Sequence, residues 1–296
     1  MKATDSTIQQ LKSQGVSLRD FSMLSTYLWC PYGYYLRHKL GLTLIDPPPA
    51  YGLQFGLAIH FALEVWEANQ RDDQKSIDKF VETFTPHAEP PKLSGKTGKE
   101  LSATYTVIFG CSLLTAYFDT YRNDTREILQ LEVAVAEELD EKTYLCGRID
   151  KIMQGARGLQ FADYKSTKYM NDFVIVPNGQ FSGYKYLVEK LTGQKASGEL
   201  DVLGVSKSAS VDTLLRREPF DYSEHQMNRW KQSFLWTSQR IDHSEQTNEW
   251  AQSWNCKPYF RECHYNDLCA LTRPEAWENL VQTKYKTDFW DCFGVN

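Results

Sequence analysis

The sequence predicts an α/β protein with a mixed central sheet flanked by helices, and three observations carry that expectation. Long segments with apolar residues at helical spacing stand on both sides of a block of short strands. Within that block, Leu145 to Met153 and Leu159 to Tyr164 are rich in β-forming residues and are separated by the chain-breaking run Gln-Gly-Ala-Arg-Gly. A helical segment then precedes two further extended runs, the alternation that a helix-covered sheet needs. At 296 residues the chain can bury a large core as one elaborated domain. No apolar run reaches the length of a membrane span and no signal-peptide pattern opens the sequence, so a cytoplasmic location is expected.

Taken in order, the chain opens with a polar segment expected to be loosely ordered. Ser22 then reads as the cap of a helix, SMLSTYLWCPYGYYLRH, with a break near Cys30 imposed by Pro31. The Pro-rich run from Asp46 to Ala50 is a loop. Gly52 to Asn69 is a strong helix with Phe55, Ile59, Leu63 and Trp66 on one stripe. Pro86 to Lys99 is a polar loop containing Gly95-Lys-Thr97; a phosphate-binding loop would need glycine where Pro90 stands, so no nucleotide site is expected. Leu101 to Arg122 is a second long helix, and Ile128 to Glu138 a strand leading into the central hairpin. Ser166 to Asn178 is a loop and Gln180 to Thr192 a helix. Leu200 to Lys207 and Thr213 to Glu218 suggest a second hairpin, and Tyr222 to about Glu249 a long final helix.

The central hairpin holds the chemistry. Asp150 lies on its first strand, Asp163 and Lys165 on its second. Residues two apart on a strand share a face, so Asp163 and Lys165 emerge together, and pairing of the strands lets Asp150 join them. Two carboxylates and an ammonium converging there suit a divalent cation with a water-activating charge beside it; a surface hairpin with a salt bridge is the other reading. His60 and Glu64 share one helix face, either as a packed core histidine with a surface contact or as ligands. Glu132 reads as able to reach such a metal, or as structural or solvated. Gln180 and Tyr184, four apart, share a helix face that either packs inward or supports the site.

In order along the chain, Gly147-Arg-Ile-Asp150, Asp163-Tyr-Lys165 and Gln180-Phe-Ser-Gly-Tyr184, preceded by the helical stretch FGLAIHFALEVWE that supplies His60, resemble the PD-(D/E)XK nuclease superfamily and its RecB-like exonuclease branch. The resemblance runs from about residue 22 to residue 270. It implies a restriction-endonuclease-like core at about 125–220, with N-terminal helices (20–125) and a C-terminal segment (222–270) forming a helical cap on a single nuclease domain. It implies Asp150, Asp163, His60 and the Tyr164 carbonyl as ligands of Mg²⁺ or Mn²⁺, Lys165 as the catalytic cation, and Gln180 and Tyr184 as positioning residues. The net charge of −5 argues against a generally basic nucleic-acid coat, leaving a local groove as the expected binding surface.

Seven cysteines, an odd number, point away from a disulfide framework. Cys111 and Cys146 sit in apolar surroundings and read as buried small hydrophobes. Some members of the RecB-like branch bind a four-iron cluster through one N-terminal and three C-terminal cysteines, and Cys30, Cys256, Cys263 and Cys269 stand in matching order. The spacing departs from the usual form, with six residues between Cys256 and Cys263 instead of two. A [4Fe-4S] cluster, a zinc site with His264 as a substitute ligand, and unligated thiols all stay open. The implied function is exonucleolytic hydrolysis of DNA, on a substrate with a single-stranded end, in phage or bacterial recombination, repair or CRISPR adaptation, with partners from those systems. A DNA-binding or scaffolding subunit without catalysis is the alternative, against which intact Asp150, Asp163 and Lys165 argue.

Overall fold

Residues 1–90, 92–93, 100–101, 103–170, 173–206, 208–254, 256 and 262–294 are described in the computed structural model of the chain. The N-terminal segment is ordered, contrary to the expectation from its polarity. It forms helix α1 (Asp5–Ser13) and strand β1 (Ser17–Arg19). β1 lies parallel to the first strand of the central hairpin, with Ser17 opposite Thr143 and Arg19 opposite Leu145. Three residues carry no readable periodicity; pairing with a distant strand holds them. The buried Arg19 guanidinium is fixed by Asp242 and the Tyr34 hydroxyl, each at 2.8 Å.

Helix α2 (Phe21–Trp29) is capped by Asp20 and not by Ser22: the Asp20 Oδ1 accepts the Met23 N–H at 2.7 Å. The break expected at Pro31 is present. Cys30 ends α2 in an extended conformation and caps α3 (Pro31–Tyr34), which runs on as a π-turn over Tyr35–Lys39. After β2 (Leu42–Leu44) comes α4 (Tyr51–Ala68), whose Phe55, Ile59, Leu63 and Trp66 are all fully buried. Helix α5 (Asp73–Phe84) was not distinguished in the sequence. Strand β3 (Lys92–Leu93) lies within the stretch expected to be loop and pairs with β4 (Glu100–Leu101), which stands where the second long helix was expected to begin; Gly95, Lys96 and Thr97 lie outside the described residues. Helix α6 (Val107–Tyr121) begins later than the expected Leu101, because the Thr106 hydroxyl caps it by accepting the Phe109 N–H at 3.1 Å.

The sheet follows from β5 (Glu127–Glu138), β6 (Thr143–Gly155), β7 (Gly158–Thr167), β8 (Ala196–Gly204) and β9 (Leu215–Phe220), with α7 (Gly179–Thr192) between β7 and β8. β6 pairs with β5 along one edge, and with β1 and then β7 along the other. β7 and β8 are parallel, joined by the α7 crossover, while β8 and β9 are antiparallel, so the sheet is mixed as expected. The last hairpin starts earlier than predicted, at Ala196, and its first strand ends at Gly204; Lys207 lies outside the described residues.

Helices cover both faces. On one, α2, α7 and α8 (Glu224–Thr247) pack Leu24, Phe181, Leu187, Phe234 and Ile241 against Ile149, Phe161 and Leu200. On the other, α4, α5 and α6 pack Phe55, Trp66, Phe80 and Phe118 against Tyr164 and Leu203. Each large apolar side chain so buried contributes about 1.5–3 kcal/mol. The chain ends with α9 (Asn266–Cys269), α10 (Ala276–Lys284) and β10 (Tyr285–Thr287), the last antiparallel to β2. Among the described residues no helix is long and apolar enough to cross a membrane.

Candidate metal centre and cysteine group

Between its β1 and β7 partners, β6 has a stretch, residues 146–150, with no strand on that edge. Asp150 closes it. Its Oδ2 accepts the Tyr164 N–H at 2.8 Å, so a side-chain carboxylate takes the place of the next ladder carbonyl and is fixed beside Asp163. Helix α4 lies across this point. The His60 Nε2 is 2.7 Å from the Tyr164 carbonyl oxygen, and its Nδ1 is 3.4 Å from the Asp150 Oδ2. A carbonyl only accepts, so Nε2 carries the proton in this state.

Asp163 is buried, with its Oδ2 2.8 Å from the Lys165 Nζ, as their shared strand face predicts. Burial pushes the Asp163 carboxyl upward; Lys165 opposes that shift and Asp150 adds to it. Around Lys165, burial works against the charge, but Asp163 and Asp150 outweigh it and raise its pKa. The ammonium therefore stays charged at neutral pH.

Glu132 is the residue the sequence undervalued. Its φ of 46° places a glutamate in the left-handed region in mid-strand, a conformation costing on the order of 1–3 kcal/mol. There its carboxylate joins His60 and Asp150, with ligand atoms of all three within 4.8 Å of one another. Burial, then Asp150 and Glu64, push the Glu132 carboxyl from 4.5 to about 8, against the pull of Arg148. Glu64, one turn beyond His60 on α4, is near enough to add to that shift. A half-buried group with this much uncompensated acid, one imidazole and a backbone carbonyl held beside it is a donor set suited to a hard divalent cation.

That shift has a consequence for stability. A raised carboxyl pKa means that the folded state holds the proton more tightly than the unfolded chain. The contribution is fully present below the unfolded value near 4.5 and is lost as pH rises through about 8. Metal-free protein is therefore expected to melt at progressively lower temperature across that window. Glu132→Gln should flatten the slope, which melting curves in chelator at a series of pH values will show; an unchanged slope would remove Glu132 from the acidic group.

Helix α7 supplies the far wall. The Gln180 side-chain amide donates to the Tyr184 hydroxyl at 2.9 Å, confirming that the pair shares a face. Tyr184 packs on Gly147, where a Cβ would come within 3.2 Å of its ring and 3.0 Å of Leu187, so a larger residue at 147 fits only if those two side chains shift. Burial, then Asp163 and Asp150, hold the Tyr184 hydroxyl well above its usual pKa, so it remains a donor. Together α4, α7, β6 and β7 enclose a cleft of about 380 Å³. Arg148, also in that cleft, was not singled out in the sequence, although its place two residues before Asp150 on one strand was a usable signal.

The structure also draws the cysteines of the two chain ends towards each other. The Cys30 sulfur accepts N–H groups from Gly33 at 3.3 Å and from Ser253 at 3.4 Å, and the Tyr32 N–H bonds the Ala251 carbonyl at 3.0 Å. The Cys263 N–H bonds the Cys256 carbonyl at 2.9 Å. Burial and then the neighbouring thiols of Cys263, Cys30 and Cys256 push Cys269 up to about 11. Cys263 is raised by burial and, less, by Cys256 and Cys30. His264 lends its backbone carbonyl to the Tyr285 hydroxyl at 2.7 Å. Cys146 is buried as expected, whereas Cys111 is only half-buried on α6.

A sequence model described as the PD-(D/E)XK nuclease superfamily matches residues 21–270. No curated protein matches the sequence. Among solved structures, the chain matches a Eubacterium rectale protein described as a "Putative exonuclease", at 12% identity over 86% of this chain and 91% of that one, with a TM-score of 0.49. It also matches the protein SSO0001 at 12% identity over 60% of this chain and 71% of that one, with a TM-score of 0.28.

Proposed function

Since the chain belongs to the PD-(D/E)XK nuclease superfamily, we propose that it is a metal-dependent DNA exonuclease working in the cleft between α4 and α7. The observation that carries this reading is the convergence of His60, Glu132 and Asp150 within 4.8 Å, next to the Asp163–Lys165 pair. Asp150, Asp163, Glu132, His60 and the Tyr164 carbonyl would hold Mg²⁺ or Mn²⁺. When bound, such an ion polarises the scissile phosphate and lowers the pKa of the attacking water.

The remaining work falls to the protein. Lys165, kept charged by its two acidic neighbours, orients the water and offsets the negative charge that grows on the phosphate. The Tyr184 hydroxyl, held by Gln180, donates towards the same region. Asp150 fixes the Tyr164 backbone through its N–H, and so aims the Tyr164 carbonyl. The recombination, repair and CRISPR-adaptation settings named above suit such an activity.

The four cysteines are proposed to hold a [4Fe-4S] cluster. Two backbone N–H donors on the Cys30 sulfur support this, because such bonds stabilise a thiolate ligand. A zinc ion on the same residues is the outcome that would replace the cluster.

His60→Ala tests the metal assignment. The expected result is a rise of at least about tenfold in the Mg²⁺ concentration needed for half-maximal cleavage, as for loss of one ligand or its close support, with a melting temperature near wild type. If melting falls sharply while the metal requirement stays unchanged, His60 is a core residue and not a ligand.

A further inference from the structure

Resting on the nuclease reading, we propose that residues 288–294 form a strap across one end of the cleft, so that the site accepts the terminus of a strand and refuses a strand that continues past it. The cleft that holds the acidic group opens, past Arg148, Gln180 and Tyr184, into a second cavity of about 210 Å³. It is the smaller of the two, little more than half the volume of the cleft it adjoins. In the proposed arrangement, a strand running past the metal group on this side would leave through this cavity.

The strap bars that exit. Trp290, Cys292 and Gly294 form one wall of the second cavity, and Asp20, Phe21 and Ser22 at the start of α2 form another. The two walls are tied together: the Trp290 indole N–H donates to the Asp20 Oδ2 at 2.6 Å. The same carboxylate caps α2 through its other oxygen, so the tie is anchored to a helix and not to a loop.

The strap is fastened at both ends. At its start, the Asp288 N–H donates to the Gly41 carbonyl at 2.7 Å, continuing the β10–β2 pairing. At its finish, Phe293 is buried beside Leu11, Ala136 and Cys146. The Phe293 carbonyl accepts Arg148 Nε at 2.9 Å and Nη2 at 2.5 Å, while Nη1 donates to the Glu132 carbonyl at 3.3 Å. Three of the five guanidinium N–H donors are so used, and Nη1 also lies 4.0 Å from the Glu132 Oε2, so the same arginine presents its positive charge to the acidic group and to a terminal phosphate at the junction of the cavities. Strap and metal group therefore share one arginine, and the blocked end is in register with the acidic centre.

The test compares a closed single-stranded DNA circle with the same DNA linearised, both with Mn²⁺ or Mg²⁺. Wild-type protein should degrade the linear form and cut the circle at least a hundredfold more slowly. The Arg37 guanidinium lies over the Trp290 ring, 5.4 Å from its centroid. In Trp290→Phe, which keeps a ring there and loses the donor to Asp20, the circle-to-linear rate ratio should rise severalfold; in Trp290→Ala it should rise further. Wild-type protein that cuts circles as fast as linear DNA overturns the strap whatever the variants do. So do two variants with wild-type melting temperatures and an unchanged ratio. Wild-type protein that cuts neither substrate overturns the nuclease reading, and the strap with it.

Discussion

Lys165→Ala is expected to slow metal-dependent DNA cleavage by two to three orders of magnitude or more, since losing one well-placed transition-state charge costs about 2.7–4 kcal/mol. Its Nζ sits 2.8 Å from Asp163, on the one strand face that also looks onto Asp150. Stability should respond differently at the two ends of this pair. Removing the lysine leaves the buried Asp163 without its cation, so the metal-free protein should lose some stability, recovered when Mg²⁺ is added. Asp163→Asn should also lose activity, yet gain stability without metal, because it removes a carboxyl whose burial is unfavourable. Cleavage rates alongside melting temperatures in chelator will check both signs. Wild-type-like cleavage by Lys165→Ala would remove the lysine from the chemistry.

Cys30→Ala is expected to have the largest effect on the architecture. Protein purified without oxygen should be brown, with about four irons per chain, and the Cys30 variant should be colourless. More than two hundred residues separate Cys30 from Cys256, yet the Cys30 sulfur already receives the Ser253 N–H. Metal binding would thus contribute to folding by tying α2 and α3 to the segment before α9. If that tie is worth about 4 kcal/mol, melting should fall by about 8–16 °C, and both chain ends should become sensitive to protease. Cys111→Ala, on the half-buried face of α6, should do neither. One zinc per chain in place of iron would replace the cluster and keep the tie. Protein without metal and indifferent to Cys30→Ala would remove both.

What was legible in the sequence was local. The hairpin of β6 and β7 is written in its turn residues, and the shared face of Asp163 and Lys165 in a spacing of two. Gln180 and Tyr184 follow from a spacing of four on one helix. The strength of α4 was plain from its apolar stripe, and with it the face that carries His60. What was undervalued or missed depends on features the sequence does not display. Glu132, read as one of several possibilities, enters the acidic group only through a left-handed backbone in mid-strand, which nothing in EILQLEVAVAEE announces. Arg148 is held by a carbonyl at Phe293, far along the chain. β1 pairs with an edge of β6 far along the chain, and Asp20, the cap of α2 in place of Ser22, also accepts from the distant Trp290. The cysteines were visible as ligand types, but spacing alone could not show that the two ends of the chain approach each other.

Hydrolysis of DNA by the group around Asp150 and Asp163, with a divalent cation, is tested most directly by release of acid-soluble nucleotides from linear DNA. Wild-type protein and Asp163→Asn are compared, each with Mg²⁺, with Mn²⁺ and with chelator. Rapid release by wild-type protein with either ion, abolished both by chelator and by Asp163→Asn, is the result expected here. Release that persists in chelator or in the Asp163→Asn protein would contradict it, as would firm DNA binding by wild-type protein with no release under any condition.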